Sequence, residues 1–405
     1  MSYDIDSVRA DFPALAGGSA HFDGPGGTQT PRQVIDAITG ALSGPLSNRG
    51  TLTKGESNAE KAVTDARGAI ADLVGGEAGG VVFGRSATQL CYDFSRWVSR
   101  SWAPGDEVVV TRLDHDSNVR PWVQAAERTG ATVRWLDFDP QTSELDDVAT
   151  VLSDRTRLVA VTAASNLIGT KPPLARVAAA AHDAGALVYV DGVHFTAHCS
   201  VDLAALGADF YACSPYKFLG PHLGALTASP ALLETLQPDK LLPSTNEVPE
   251  RFEFGTLPYE LLAGVAAAVD YLSALGGAGA TAGAAKGSRR ENLVSSFAGL
   301  EEYEDALLAR LEDGIRNLPG VTVHSRAAHR TPTLLLTFEG RDTVDAYEFL
   351  AARGVDAPSS NFYALEASRR LGLGDAGGLR VGLAPYTNDD DVDRLLAGLA
   401  AFLAA

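Results

Sequence analysis

Cysteine is scarce in this chain: three residues, Cys91, Cys199 and Cys213, among 405. An odd, small number in so long a chain argues against a disulfide framework and suits a reducing compartment, with the thiols read as core residues. Basic charge is short as well. Lys and Arg total 33 against 51 Asp and Glu, a formal net charge of −18. No basic run relieves it, which argues against nucleic acid and anionic membranes as partners. Long apolar stretches are missing too, since nothing approaches the roughly 20 residues of a spanning helix. The start, Met1 to Pro13, is polar and acidic where a secretory leader would be basic and then apolar. The expectation is a soluble, cytoplasmic protein. There is no internal repeat, and the glycine run "HFDGPGGTQTP" lacks both the preceding strand and the spacing of a dinucleotide fingerprint. It reads as a turn leading into a helix after Pro31.

The length allows a large core and two or three domains, or one large α/β domain with an appendage. Short β-branched runs at Val108 to Val110, Ala131 to Trp135, Leu158 to Thr162 and Leu187 to Asp191 alternate with helical stretches near Trp122 to Thr129 and over Leu174 to Ala184. Alternation of this kind specifies βαβ units and a mostly parallel, doubly wound α/β sheet buried on both faces. A helix over Glu260 to Leu275 runs into the glycine- and alanine-rich "GGAGATAGAAKGSRRE", a flexible turn or a poorly ordered helix start, with a domain boundary nearby. Beyond it, helices over Glu301 to Leu318, Val344 to Ala352 and Val392 to Leu403 alternate with strands near Val321 to His324, Thr331 to Phe338 and Leu379 to Leu383. This reads as a smaller α+β domain. The expected division is a large domain over 22–265 and a small one built from 1–21 and 266–405.

Ligands of doubly wound sheets sit beyond the carboxyl ends of the strands. Three apolar runs end in polar residues there: before Ser86 to Thr88, before Asp191, and before Ser214 to Lys217. Lys217 follows Asp191 by 26 residues, after a second short strand, so both side chains are expected at one sheet edge. A lysine and a carboxylate in that position suit pyridoxal phosphate. The lysine forms a Schiff base and the carboxylate keeps the pyridine nitrogen protonated. Taken alone the pair is weak evidence. "FGRSATQ" adds backbone N–H groups and the Ser86 and Thr88 hydroxyls at a helix start, able to hold a phosphate, although taken by itself simple N-capping is the better explanation. "LDHDSNVRPW" adds His115, placed to stack on a ring.

Metal is the rival at two places. Asp114, His115 and Asp116 are neighbours in an extended stretch, whose side chains diverge. Asp191, His194 and His198 would need a helix directly after a buried strand to converge. Neither set is expected to hold an ion.

These segments together resemble the cysteine desulfurase-like branch of the class V aminotransferase family, homodimeric fold-type I pyridoxal phosphate enzymes. "HFDGPGGTQTP" is similar to the family's "YLDNAATTP"-type opening, "NRGTLT" to its "HRG-H" segment, "GRSATQ" to "RGTTE" and "DHDSNVRPW" to "EHHANIVPW". "SNLIGT", "YVDGVH", "SPYKFLGPHLGAL", "FEFGT" and "LRVGLAPYTNDDDVD" follow in family order. The resemblance implies Lys217 as the Schiff-base lysine, Asp191 as the pyridinium partner and His115 as the stacking histidine. It places Asn166 and His194 near the ring's phenolic oxygen, and Ser86, the Ala87 backbone, Thr88 and Ser214 on the phosphate. Tyr216 stands where desulfurases commonly have a histidine. Thr256 matches the residue that reaches the phosphate of the other subunit, so the active sites of a homodimer would be shared. Arg380 matches the substrate-carboxylate clamp, a role suited to its planar fork, and Asn361 lies in the adjoining substrate loop.

One departure from that family is large. Desulfurases carry a nucleophilic cysteine on a loop before the last strand, where this chain reads "GVDAPSSNFYALEASRRLG", and no cysteine occurs after Cys213. The expectation is therefore a pyridoxal phosphate enzyme acting on a small amino acid, a C–S lyase by β-elimination, with aminotransferase or epimerase as the alternative. A catalytically silent binding protein is the alternative of another class.

Overall fold

The computed structural model describes residues 3–275 and 287–405. The glycine- and alanine-rich stretch lies largely outside the described residues.

Seven strands form the large sheet, in the spatial order Val81–Gly84, Gly224–Ala228, Phe210–Cys213, Leu187–Asp191, Thr156–Thr162, Glu107–Thr111, Thr132–Leu136. Gly224–Ala228 is antiparallel to both its neighbours, and every other pairing is parallel. Successive residues alternate between faces. Val81, Phe83, Val109, Val159, Val161, Val188, Val190 and Tyr211 join one core, while Val82, Val108, Val110, Leu158, Ala160, Tyr189 and Phe210 join the other. Burial on both faces is why these strands read as unbroken apolar runs. Parallel pairing also gathers Thr111, Thr162, Asp191 and Cys213 at one end of the sheet, and each is followed by a polar turn.

The second sheet has four antiparallel strands in the order Ser359–Ser360, Gly378–Gly382, Thr333–Phe338, Val321–Val323. Leu334, Leu336 and Val381 pack there against Leu307, Leu311, Leu350, Val392 and Leu395 from three helices. The N-terminal strand Ala20–His21 pairs with Val355–Asp356, which ties the start of the chain to its last third.

Two elements differ from expectation. Helix Tyr259–Ala274 runs through residue 265 without a break, so the expected boundary falls inside a continuous helix. Helix Arg289–Arg316 begins 12 residues before the expected Glu301. Its start is fixed by a capping box between Ser288 and Glu291, a Ser-x-x-Glu signal that the glycine-rich flank masks. Helix Lys54–Val74 opens on the same device, between Thr53 and Glu56.

Candidate active site

The strand-end turns build one wall of a cavity and the second sheet builds the other. Asp191 ends its strand with its side chain buried and accepts from the amide of Val193 at 2.9 Å. Burial raises its pKa, and the nearby Lys217 ammonium works against that rise. Lys217 lies in a single 3-10 turn, Pro215–Lys217, and donates through Nζ to the carbonyl of Pro25. Desolvation, reinforced by the Arg380 charge, brings its pKa down to about 8. A lysine with that value gives and takes a proton near neutrality.

His115 follows the strand Glu107–Thr111 in a turn tied by Asp114, which accepts from Asn118 Nδ2 at 2.7 Å and from the Thr162 amide at 3.0 Å. Nδ1 of His115 accepts from the Ser117 amide at 3.0 Å, so the ring proton sits on Nε2. Burial and the Lys217 and Arg380 charges push its pKa down to about 3, which keeps the imidazole neutral.

Ser86 caps helix Ala87–Val98, its hydroxyl accepting from the Gln89 amide at 3.1 Å. The amides of Ala87 and Thr88 are left as the orphan donors that open any helix, a ready anion cradle. Gly224 lets the neighbouring strand press on this turn, since a Cβ there would fall 2.3 Å from the Ser86 carbonyl carbon.

An inner pocket is lined by Ser86, Ala87, Thr88, His115, Asn166, Asp191, His194, Ser214, Tyr216 and Lys217. It opens into an outer cavity of about 660 Å³ that adds Asp23, Phe362, Tyr363 and Arg380. Arg380 is 2% exposed and stands over the Phe362 ring, 3.6 Å from its centroid. Nη1 donates to the Asn166 carbonyl at 3.1 Å, and Nη2 to Asp23. Tyr216 stacks on the exposed His222 with ring centroids 4.8 Å apart. His194 is held through Nε2 by the hydroxyls of Thr331 and Thr333, at 2.9 and 3.0 Å.

Two residues stand apart from the rest. Thr256 is exposed in a second cleft of about 770 Å³, which shares only Ser86 and Thr88 with the inner pocket. Asn361 lines neither cavity, contrary to the substrate contact expected of it. Its amide is committed to the loop, donating to the Asp375 carbonyl at 2.7 Å and accepting from the Tyr363 amide at 2.9 Å. That grip holds Phe362 and Tyr363 at positive φ, 51° and 59°, and so aims the Phe362 ring at Arg380. Asp23 is the charged cavity residue on Arg380 that sequence reasoning missed. Its place in a glycine-rich turn suggested only a bend, and the acid before the glycines was the available signal. Among the described residues no three His, Cys, Asp or Glu side chains converge as metal ligands. His198 instead pairs with the buried Glu304 at 2.9 Å.

The aminotransferase class-V family model matches residues 20–290 and 292–395. The chain belongs to the aminotransferase class-V family. It is 33% identical over 410 residues to the uncharacterized protein MT3887 of Mycobacterium tuberculosis, covering 99% of this chain and all of that one. A cysteine desulfurase of Klebsiella pneumoniae is 30% identical over 421 residues, covering 98% of each chain. Among solved structures, the cysteine desulfurase CsdA of Escherichia coli superimposes with a TM-score of 0.86 at 26% identity, covering 100% of this chain and 99% of that one. A C-DES mutant with glycine covalently linked to its PLP cofactor shares the fold, with a TM-score of 0.79 at 21% identity, covering 97% of this chain and 98% of that one. This class-V protein is thus a cysteine desulfurase-like enzyme of fold type I, and its cofactor is pyridoxal phosphate.

The site fits that group. Nδ1 of His194 and Oδ1 of Asn166 are buried without partners on the inner pocket, where a ring with a phenolic oxygen has polar edges to offer. A buried lysine, a buried carboxylate and a helix-start anion cradle surround the same space.

Proposed function

We propose that this class-V enzyme cleaves the Cβ–S bond of a cysteine-derived α-amino acid by β-elimination. The observation carrying the reading is that Lys217 lines both the inner pocket, with Asp191, and the outer cavity, with Arg380, while none of the three buried thiols lines either. Burial pushes Cys199 and Cys213 up to about 12 and Cys91 well above its ordinary value. None of the three is a thiolate at neutral pH, which leaves none of them ready to receive the substrate sulfur.

Pyridoxal phosphate, when bound, supplies an electron-withdrawing ring that stabilises negative charge at Cα. Lys217 holds the cofactor and, once freed, takes the Cα proton on Nζ, for which a pKa near neutrality suits it. Asp191 would pair with the ring nitrogen, His115 would stack on the ring as a neutral imidazole, and the cradle at Ser86 to Thr88 with Ser214 would hold the phosphate. Arg380 grips the α-carboxylate and fixes which Cα bond faces Lys217. The Cβ–S electron pair leaves with sulfur, which takes up a proton and departs as a thiol, or as sulfide from cysteine itself; the released 2-aminoacrylate tautomerises to its imine, and water hydrolyses that to pyruvate and ammonia.

The setting we propose is a cytoplasmic homodimer. Three free, buried cysteines suit a reducing compartment, and the exposure of Thr256 in its cleft supports a second copy docking there. Among the described residues no helix is long and apolar enough to cross a membrane. Incubating the holoenzyme with β-thio amino acids and assaying thiol, pyruvate and the chirality of recovered substrate tests the reaction. Thiol and pyruvate in equal amounts are expected. Racemised substrate or an amino-group exchange without either product would replace the lyase by an epimerase or an aminotransferase.

A further inference from the structure

Two carboxylates line the outer cavity, and each is paired with an arginine. Asp116 holds Arg120 at 3.1 Å on the outer wall. Asp23 sits on Arg380 itself: its Oδ1 accepts from Nη2 of the buried guanidinium, while its own side chain is 43% exposed. The chain fixes Asp23 in this position. Its carbonyl accepts from the amides of Gly26 and Gly27 at 2.9 and 3.0 Å, and residue 23 bridges to Gly382 on the strand that carries Arg380. Its Oδ2 lies so close over Gly26 that a Cβ at that position would be 2.2 Å away.

Both terminal nitrogens of Arg380 are thus engaged by the chain, one by a carbonyl and one by a full negative charge. A ligand carboxylate docking on Arg380 meets a second carboxylate on the same guanidinium. Like charges on one guanidinium oppose each other, the more so on the side where Arg380 is buried. An α-amino acid relieves the conflict as it docks, before its nitrogen takes the place of Lys217, because its ammonium lies one carbon from its carboxylate and can face Asp23. A ligand with a carboxylate and no ammonium has nothing to offer it.

We propose that Asp23 is a specificity-determining residue: it makes Arg380 select zwitterionic α-amino acids over plain carboxylates and sheds 2-oxo acid products such as pyruvate. The inference rests on Arg380 being the substrate-carboxylate clamp.

The test uses the holoenzyme, with an amino-acid substrate and with propionate and pyruvate as competing inhibitors. In Asp23→Asn the inhibition constants for propionate and pyruvate fall by about tenfold or more, equivalent to about 1.4 kcal/mol, while KM for the amino acid falls less or rises. Asp23→Glu restores the wild-type ratio of inhibition constant to KM. Asp23→Ser carries the same comparison if Asp23→Asn does not fold. An unchanged ratio in the variant that folds overturns the inference. Arg380→Ala in the same assay separates the two layers. If it leaves KM and both inhibition constants unchanged, the clamp reading fails; if it weakens all three while the Asp23 variants leave the ratio unchanged, only the role of Asp23 fails.

Discussion

Truncating Arg380 to alanine removes the group on which substrate orientation rests. The guanidinium is 2% exposed and already oriented by the Asn166 carbonyl, the Phe362 ring and Asp23, so little order has to be created when a carboxylate binds. Two charge-assisted hydrogen bonds to that carboxylate are worth about 1.5–3 kcal/mol each, and their loss lowers kcat/KM by roughly two to four powers of ten. Removing the cation also leaves the Asp23 carboxylate facing the substrate unopposed, which acts in the same direction. Most of the change is expected in KM, because the contact persists from ground state to transition state. Steady-state kinetics on the reconstituted variant measure it, with visible absorption confirming that the cofactor is retained. Arg380→Lys keeps the charge but not the fork and recovers only part of the loss. A KM within about twofold of wild type in Arg380→Ala would refute the reasoning, since an effect that small is below 0.5 kcal/mol.

The pKa of Lys217, lowered to about 8 by burial, fixes the pH dependence of cofactor capture. Only the neutral amine attacks an aldehyde, so the rate of pyridoxal phosphate uptake by the apoprotein rises with pH and levels off above about 8; a rate still climbing at pH 10 contradicts the burial. His115, pushed down to about 3, is expected to stay neutral with its proton on Nε2. Histidine nitrogen NMR between pH 5 and 9 checks this, and a titration near pH 6.5 assigned to His115 would count against it. Glu304→Ala leaves the buried His198, 3% exposed in its side chain, without its partner. Leaving a buried group without its hydrogen-bond partner costs about 1–3 kcal/mol, read from urea unfolding, and a loss under about 0.5 kcal/mol would show the contact to be energetically idle.

Much of the site was legible because parallel strands convert sequence order into spatial convergence. Thr111, Thr162, Asp191 and Cys213 end four neighbouring strands, so the polar residues that follow each apolar run meet at one sheet edge. Periodicity brings His115, Asp191 and Lys217 together in this way, while Asn166 was named only through the resemblance to a known family. Arg380 is different: it lies in the second sheet, and only the resemblance to a known family linked it to the lysine. The elements that escaped were those whose signals compete with composition. The start of helix Arg289–Arg316 sits behind a run of glycine and alanine, and only the Ser288 and Glu291 capping box marks it. Asn361 has the right residue type in the right loop, yet its amide satisfies that loop's own backbone, an allocation no spacing rule reveals. Asp23 was hidden for the opposite reason, because the glycines that shape its turn drew the eye from the acid they serve.

The most direct test of the account is where the cofactor is attached. Reconstituting the protein with pyridoxal phosphate, reducing it with borohydride and digesting it is expected to give one modified peptide, carrying the cofactor on Lys217. Lys217→Ala should then show no covalent label and no absorption band of the attached cofactor. A protein that takes up no cofactor, or one labelled at a different lysine, would contradict the central claim.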